Sequence, residues 1–123
     1  MPSLKSIMLS VCLAFITFSY SKEIVITPGE DSHERLQEAM ILMSEGDTLL
    51  LKAGYYSFED GLSLDVNNVT IIGEGMDNTI LDFKNQKSGA QGLLVTSDKV
   101  TLKDFAILDA KGDALKVIGT KGI

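Results

Sequence analysis

One pattern is written three times in this chain, and the repetition constrains the fold more than any other feature. "GLSLDVNNVTI" at 61–71 returns as "GLLVTSDKVTL" at 92–102 and starts again as "ALKVIGTKGI" at 114–123. A further match lies outside these copies, because "ILD" occurs at both 80–82 and 107–109. Within each copy the apolar residues alternate, as in a half-buried strand. The aligned columns are Leu62, Leu93 and Leu115; Leu64, Val95 and Val117; Val69, Val100 and Gly122; and Ile71 and Leu102.

The spacing of the copies predicts a stack of similar units. The copies begin at 61, 92 and 114, so 31 and then 22 residues separate their starts. The excess of nine falls in two turn-like stretches, four residues in "GEGMDN" (73–78) and five in "KNQKSGAQ" (84–91). A unit of three short strands cannot close its own core, so each unit must stack on the next, with paired strands about 4.8 Å apart.

Stacking also predicts which side chains face outward. Alternation places Ser63, Asp65 and Thr70 on the outer surface, opposite the apolar columns. A turn column holds Asn67, Asp98 and Thr120. Asn and Asp suit this column because they tolerate left-handed backbone.

The N-terminus reads as a secretion signal. Lys5 is followed by the apolar run "IMLSVCLAFITF" and then by Ser19-Tyr20-Ser21. A basic start, a short apolar stretch and small residues predict a signal peptide over 1–21 with cleavage after Ser21. The run is too short to span a bilayer. The chain is therefore expected to be exported, to the periplasm or outside the cell, with no membrane contact after cleavage.

A strand and a helix precede the repeats in the segment 22–47. "EIVI" ends at Pro28-Gly29, and "DSHERLQEAMILMSEG" then predicts a helix over about 32–44. Asp31 and Glu34 have the spacing of a capping box. The apolar face consists of Leu36, Ala39, Met40 and Met43, and Gly46 is a fitting stop.

Charge and cysteine content exclude several classes of function. The formal net charge is −6, and loss of Lys5 with the signal peptide would make it −7. An acidic domain without a basic patch is a poor binder of nucleic acid or anionic membranes. The single cysteine, Cys12, lies in the apolar run, so the mature chain would contain no disulfide and would depend on packing for its stability.

The segments "GDTLLLKAGYY", "NNVTIIGEGMDNTILDF" and "KVTLKDFAILDAKGDALKV" resemble the start of a right-handed parallel β-helix protein of the pectin-lyase-like superfamily. The similarity is strongest to exported bacterial parallel β-helix repeat proteins and covers about 24–123. It implies an all-β, right-handed parallel β-helix, or solenoid, with an N-terminal capping α-helix. About three rungs would lie in 48–123.

The third copy stops inside a strand, at Gly122-Ile123, which align with Val100-Thr101. The sequence therefore predicts a solenoid incomplete at its C-terminus, either the N-terminal part of a longer protein or a truncated gene product. Its partners would be the remaining C-terminal rungs and, by the resemblance, a polysaccharide.

Enzymes of this superfamily carry acidic clusters or paired carboxylates on one outer face. The matching outward positions here hold only one carboxylate, so no catalytic residue and no cofactor are predicted within this chain. These positions are Ser63, Asp65, Leu94, Thr96, Lys116 and Ile118. Asp82 and Asp109 share the "ILD" column and are weak candidates for holding a cation such as Ca²⁺, against the alternative of two solvated turn aspartates.

Other candidate residues have simpler interpretations. "GEGMDN" lacks the lysine and the strand–loop–helix context of a phosphate site. His33 is expected at the helix surface. Tyr55 and Tyr56 either stack on a sugar ring or pack beneath the helix, and packing is favoured. Asn68-Val69-Thr70 matches a glycosylation sequon, interpreted as a chance match.

Three functions stay open at this point. The first is a non-catalytic segment of an exported β-helix protein whose full-length form binds or processes polysaccharide. The second is a polysaccharide lyase, hydrolase or epimerase with its site beyond residue 123. The third is a structural or adhesive surface module. The resemblance indicates architecture, and fold alone does not determine function.

Overall fold

The computed structural model describes residues 20–119 and 121–123, so the predicted signal peptide lies almost entirely outside the described residues. The described chain is predominantly β with a single helix, α1 (Ser32–Leu42). Its strands are β1 (Glu23–Ile26), β2 (Thr48–Leu51), β3 (Gly54–Ser57), β4 (Leu62–Leu64), β5 (Thr70–Ile72), β6 (Thr79–Asp82), β7 (Gln91–Val95), β8 (Thr101–Lys103), β9 (Ala106–Leu108) and β10 (Asp113–Val117). No helix in the described part of the chain has the length and apolarity needed to cross a membrane.

The strands form three parallel sheets that the chain visits in turn. Sheet A has the order β1-β2-β5-β8, sheet B the order β3-β6-β9, and sheet C the order β4-β7-β10. Every pairing between the described strands is parallel. The chain passes from β4 in sheet C to β5 in sheet A and β6 in sheet B, and then returns to sheet C at β7. Each of the first two copies of the repeat therefore adds one strand to each sheet, and the third copy adds β10 to sheet C.

The predicted columns of sheet C and the Ile71–Leu102 column of sheet A are confirmed. Leu93 pairs with Leu62 on one side and Leu115 on the other. Ile71 pairs with Leu102 in sheet A. Leu62, Leu93 and Ile71 are fully buried, and burial of such side chains stabilises the fold by roughly 1.5–3 kcal/mol each. Like residues stack on like because each strand repeats the alternation of its neighbour.

The predicted register of sheet B was wrong by one residue. Ile80 pairs with Ala106, Leu81 with Ile107 and Asp82 with Leu108, so the two "ILD" strings do not align. Leu81 and Phe83 are the inward side chains of this stretch. A one-residue shift exchanges the two faces of a strand. The chain therefore adopts the register that pairs Leu81 with Ile107, and not the one that aligns the two "ILD" strings. The insertion in 73–78 is accordingly one residue longer than predicted, and the one before β7 is one residue shorter.

The turn column of the third copy is also shifted. Asp98 N–H donates to the Asn67 Oδ1 atom, and Lys121 N–H donates to the Asp98 Oδ1 atom, both at 2.8 Å. Lys121 therefore follows Asp98 in the column predicted for Thr120, which lies outside the described residues. Val100 N–H likewise donates to Gly122 C=O, at 3.1 Å, a pattern that places Ile123 rather than Gly122 beside Val100. The left-handed residues of this turn are Asn68 and Lys99, one position after the predicted ones.

Helix α1 buries the predicted face but lacks the predicted cap. Leu36, Ala39, Met40 and Met43 are all buried. The Asp31 side chain makes no capping hydrogen bond; its Oδ1 atom instead accepts from Arg35 Nε at 2.9 Å. Asp31 does not have the extended backbone conformation that directs an N-cap side chain toward the helix N–H groups. The helix ends at Leu42, two residues earlier than predicted, and Gly46 donates to Asn68 C=O in the turn that follows.

Gln37 links α1 to the edge of sheet C. Strand β4 has one strand neighbour, β7, and the N–H of Thr96, the residue directly after β7, donates to Leu64 C=O. In a parallel ladder, Ser63 then directs both of its backbone groups away from β7. The Gln37 amide donates to Ser63 C=O and accepts from Ser63 N–H, both at 2.9 Å. Gln37 therefore occupies the place of a peptide group from a further strand.

Candidate functional site

Asp82 lies on the outer face of sheet B and is held by its own turn. Its Oδ1 atom accepts the Lys84 N–H at 3.0 Å, and its Oδ2 atom lies 3.9 Å from Lys84 Nζ. Asp109 is exposed, with a left-handed backbone at φ 56°. Because Asp82 pairs with Leu108, the two aspartates do not share a column, and the expected stacking of their carboxylates was wrong.

The outer face of sheet C has the predicted side chains. Ser63, Asp65, Thr96 and Lys116 are exposed. The Thr96 Oγ1 atom donates to the Asp65 Oδ1 atom at 2.9 Å, so the one carboxylate of this face is hydrogen-bonded to the equivalent residue of the next copy. The described residues include no group of three or more His, Cys, Asp or Glu side chains with the geometry to hold a metal ion.

An acidic cavity of about 360 Å³ lies at the start of α1. Its lining consists of Glu30, Asp31, His33, Glu34, Ser57 and Glu59. The pKa of Asp31 lies below its ordinary value because the Arg35 side chain donates a hydrogen bond to it. At the other wall of the cavity, the Lys87 Nζ atom lies 3.5 Å from the Glu59 Oε1 atom. Two of the four carboxylates are thus paired with cations of this chain.

The aromatic candidates divide between surface and core. The His33 ring meets Phe58 edge-on, with ring centroids 5.5 Å apart, and Phe58 stacks on Phe83 at 4.7 Å. His33 is half-buried at the helix surface. Tyr56 is buried, and its hydroxyl lies 2.6 Å from Lys52 C=O and 3.0 Å from Ile26 C=O, so the packing interpretation is confirmed for it. Tyr55 is 70% exposed.

The two remaining sequence motifs lie in turns. In 73–78, Glu74 accepts the Ala53 N–H at 3.0 Å and lies 3.9 Å from Lys52 Nζ. Thr79 closes the same turn, since its Oγ1 atom accepts the Glu74 N–H and donates to Leu51 C=O. These contacts give the turn a role in joining consecutive copies. Asn68 of the sequon is exposed in its left-handed turn.

Asp47 is a residue that the sequence reasoning missed. Its carboxylate is 1% exposed and accepts two backbone N–H groups, from Lys22 at 3.0 Å and from Ser44 at 2.8 Å. The pKa of Asp47 lies below its ordinary value because these two N–H groups, Lys22 first, stabilise the charged form. The available signal was a carboxylate set directly before the apolar run "TLLL".

Comparison with known proteins yields a fold likeness. The chain resembles the solved structure of a PL6 family alginate lyase, AlyGC, with a TM-score of 0.51 and 23% sequence identity. The likeness covers 83% of this chain and 12% of the lyase chain, so this chain spans about an eighth of that protein's length. No family model matches the sequence, and no curated protein matches it. The likeness supports the parallel β-helix fold family predicted from the sequence, and at this identity it shows the fold alone.

Proposed function

We propose that this chain is the N-terminal, non-catalytic part of an exported right-handed parallel β-helix protein whose full-length form binds or processes polysaccharide. The solenoid is supported by the order in which the chain visits sheets C, A and B, with one strand added to each sheet per complete copy. Right-handed connection is the rule for crossovers between parallel strands. Helix α1 is the N-terminal cap, because it covers the β4 edge.

The observation that carries the polysaccharide assignment is the fold likeness to the alginate lyase, together with its small share of that protein's length. A scaffold of about 100 residues would supply the first rungs, and chemistry would lie on later ones. The outer face of sheet C supports a non-catalytic role here, because its single carboxylate, Asp65, is bonded to Thr96. General acid–base work on a glycan needs a second group placed to exchange a proton.

The lyase likeness also favours a second candidate function, a polysaccharide lyase, hydrolase or epimerase with its site beyond residue 123. The two candidates separate on the full-length protein. Binding of alginate or polygalacturonate without turnover supports the first. Turnover that survives deletion of rungs beyond 123 contradicts both, since it would place the site in this chain.

The experiment measures lyase and hydrolase activity on alginate and polygalacturonate, for residues 22–123 and for the full-length protein from the native host. We expect no turnover by residues 22–123, and binding of at least one polymer by the full-length protein. Turnover by residues 22–123 that is lost in Asp82→Asn or Asp109→Asn would instead show that a cation-dependent site exists here. A full-length protein that binds none of these polymers would contradict the polysaccharide assignment.

Export has its own measurement. Mass spectrometry of the protein from the native host should find Lys22 as the first residue, because Ser19 and Ser21 place small side chains before that bond. An intact Met1 in a cytoplasmic fraction would contradict export.

A further inference from the structure

The predicted processing site lies beside a buried carboxylate. The Lys22 backbone nitrogen, which would become the N-terminus after cleavage, is 3.0 Å from the Asp47 Oδ1 atom. The Asp47 Oδ2 atom accepts from Ser44 N–H at 2.8 Å, so both carboxylate oxygens have a donor. The residue that follows the predicted cleavage site is thus bonded to Asp47 through its backbone nitrogen.

In the uncleaved chain, the charge of Asp47 is stabilised mainly by neutral donors. Its two close donors are neutral peptide groups, and the Lys22 ammonium is 3.9 Å away on a side chain that is 59% exposed. The two peptide N–H groups offset the cost of burying this carboxylate, and a charge-assisted bond would stabilise it further. Asp47 therefore gains from any positive charge placed at the Lys22 nitrogen.

We propose that Asp47 is the receptor for a new N-terminal ammonium group formed by cleavage after Ser21, so that processing itself stabilises the mature fold. Hydrolysis consumes one water and breaks the C–N bond between Ser21 and Lys22. It leaves a carboxylate on Ser21 and an α-ammonium on Lys22. The neutral N–H···carboxylate bond to Asp47 becomes a charge-assisted one, which is roughly twice as strong.

The local structure accommodates this change without rearrangement. Tyr20 and Ser21 are exposed, so their removal uncovers the nitrogen to water and not to the core. Lys22 stays in place, because its C=O accepts the Thr48 N–H at 3.0 Å and β1 pairs with β2 directly after it. The extra protons of the ammonium group point toward the side that Ser21 has left.

This proposal rests on the export and cleavage proposed above, but its test does not. Two chains are compared, released from fusions by a protease that leaves no added residue: one begins at Lys22 and the other at Ser21. The Ser21 chain is the matched control, since it keeps the Lys22 peptide N–H and moves the charge by one residue, at most about 3.6 Å. Each is also made with Asp47→Asn, which completes a double-mutant cycle.

Thermal unfolding at neutral pH should give a higher Tm for the Lys22 chain than for the Ser21 chain, and no such gap in the Asp47→Asn pair. If Asp47 binds the new ammonium group, the α-amino pKa in the fold must lie above its ordinary value of about 7.7–8.0, because a neighbouring carboxylate favours the charged amine. The difference in Tm between the two chains is therefore complete below the ordinary α-amino pKa and shrinks as the pH rises through the folded pKa. Equal Tm values at neutral pH, a gap that persists in Asp47→Asn, or one that does not change with alkaline pH would each overturn the proposal.

If Asp47→Asn does not fold, the alkaline-pH dependence of the unsubstituted pair decides the question alone. The result is also separable from export. Finding an intact Met1 in the native host would contradict cleavage while leaving the measured Lys22–Asp47 coupling unchanged. Finding cleavage without coupling would retain export and remove the role given to Asp47.

Discussion

Leu93 and Leu115 occupy one column in very different surroundings. Leu93 is fully buried between Leu62 and Leu115, whereas Leu115 is 41% exposed. Leu93→Ala should lower the free energy of unfolding by about 2–5 kcal/mol, the usual range for a core leucine. Leu115→Ala should cost clearly less, because water already reaches its site. Urea unfolding of both variants checks this, and equal losses would show that the third copy is packed as tightly as the second.

Asp47 also predicts how acid affects stability. Its folded pKa lies below the ordinary value because the Lys22 and Ser44 N–H groups donate to it. Such a group stabilises the fold above the unfolded pKa of about 3.9, and this stability is lost as the pH falls through the folded value. Asp47→Asn should be less stable at neutral pH, because the asparagine amide cannot accept both N–H groups, and should lose less on acidification.

Urea midpoints measured from neutral pH down to about pH 2 give both quantities. The matched control is Asp77→Asn, which changes an exposed aspartate of the 73–78 turn. It should follow the unsubstituted chain at every pH. An Asp47→Asn variant that is as stable as the unsubstituted chain at neutral pH and equally sensitive to acid would contradict the role assigned to the buried carboxylate.

At the scale of elements, the α1–β4 contact blocks an edge that would otherwise fit a second copy. Strand β10 continues the ladder that β4 begins, since Leu62, Leu93 and Leu115 share one column. A β10 from another molecule would therefore repeat the β7–β4 contact on the far side of β4. Exposed strand edges recruit other chains in this way. We expect Gln37 to prevent this pairing, because its amide already holds both backbone groups of Ser63.

Gln37→Met should lead to head-to-tail association, since methionine keeps the length of the side chain but has no amide. Sedimentation velocity should show a mean mass that rises with concentration without a plateau. Glu38→Met is the control, because it adds the same side chain on the exposed side of α1. Adding Val117→Pro to Gln37→Met should restore the original distribution, since in this parallel register the Val117 N–H faces the next molecule.

The elements show how far the sequence determines the fold. Alternation in 61–71 and 92–102 placed β4, β5, β7 and β8 in the observed register, because each has one apolar face and a fixed turn between its strands. The register predicted for sheet B was wrong because β9 is only three residues long and follows a shorter turn. The prediction therefore followed the repeated "ILD" string, whereas the observed register follows the burial of side chains. The Lys22–Asp47 and Gln37–Ser63 contacts join residues 25 and 26 positions apart. No local pattern marks such pairs.

At the scale of the whole molecule, the two ends of the sheets differ. Strands β8, β9 and β10 lie at the sheet edges farthest from α1, and Leu108, Leu115 and Val117 are exposed there. Amide hydrogens of β10 should therefore exchange faster than those of β7, its inner neighbour, in a chain kept monomeric by dilution. Hydrogen exchange with peptide-level readout checks this. Equal, strong protection of 91–95 and 113–117 in a monomer would show that the assigned edge is covered.

Each strand pairs with an earlier strand of its own sheet, and this pairing also sets the order in which the strands fold. Synthesis delivers the N-terminal end first. Strands β1 and β2 can then pair before the second and third copies have emerged, since both lie within residues 23–51. Each later strand then needs only to pair with a strand that has already folded. If the copies fold in this order, a defect in one copy blocks the pairing of the copies that follow it and leaves the copies before it intact.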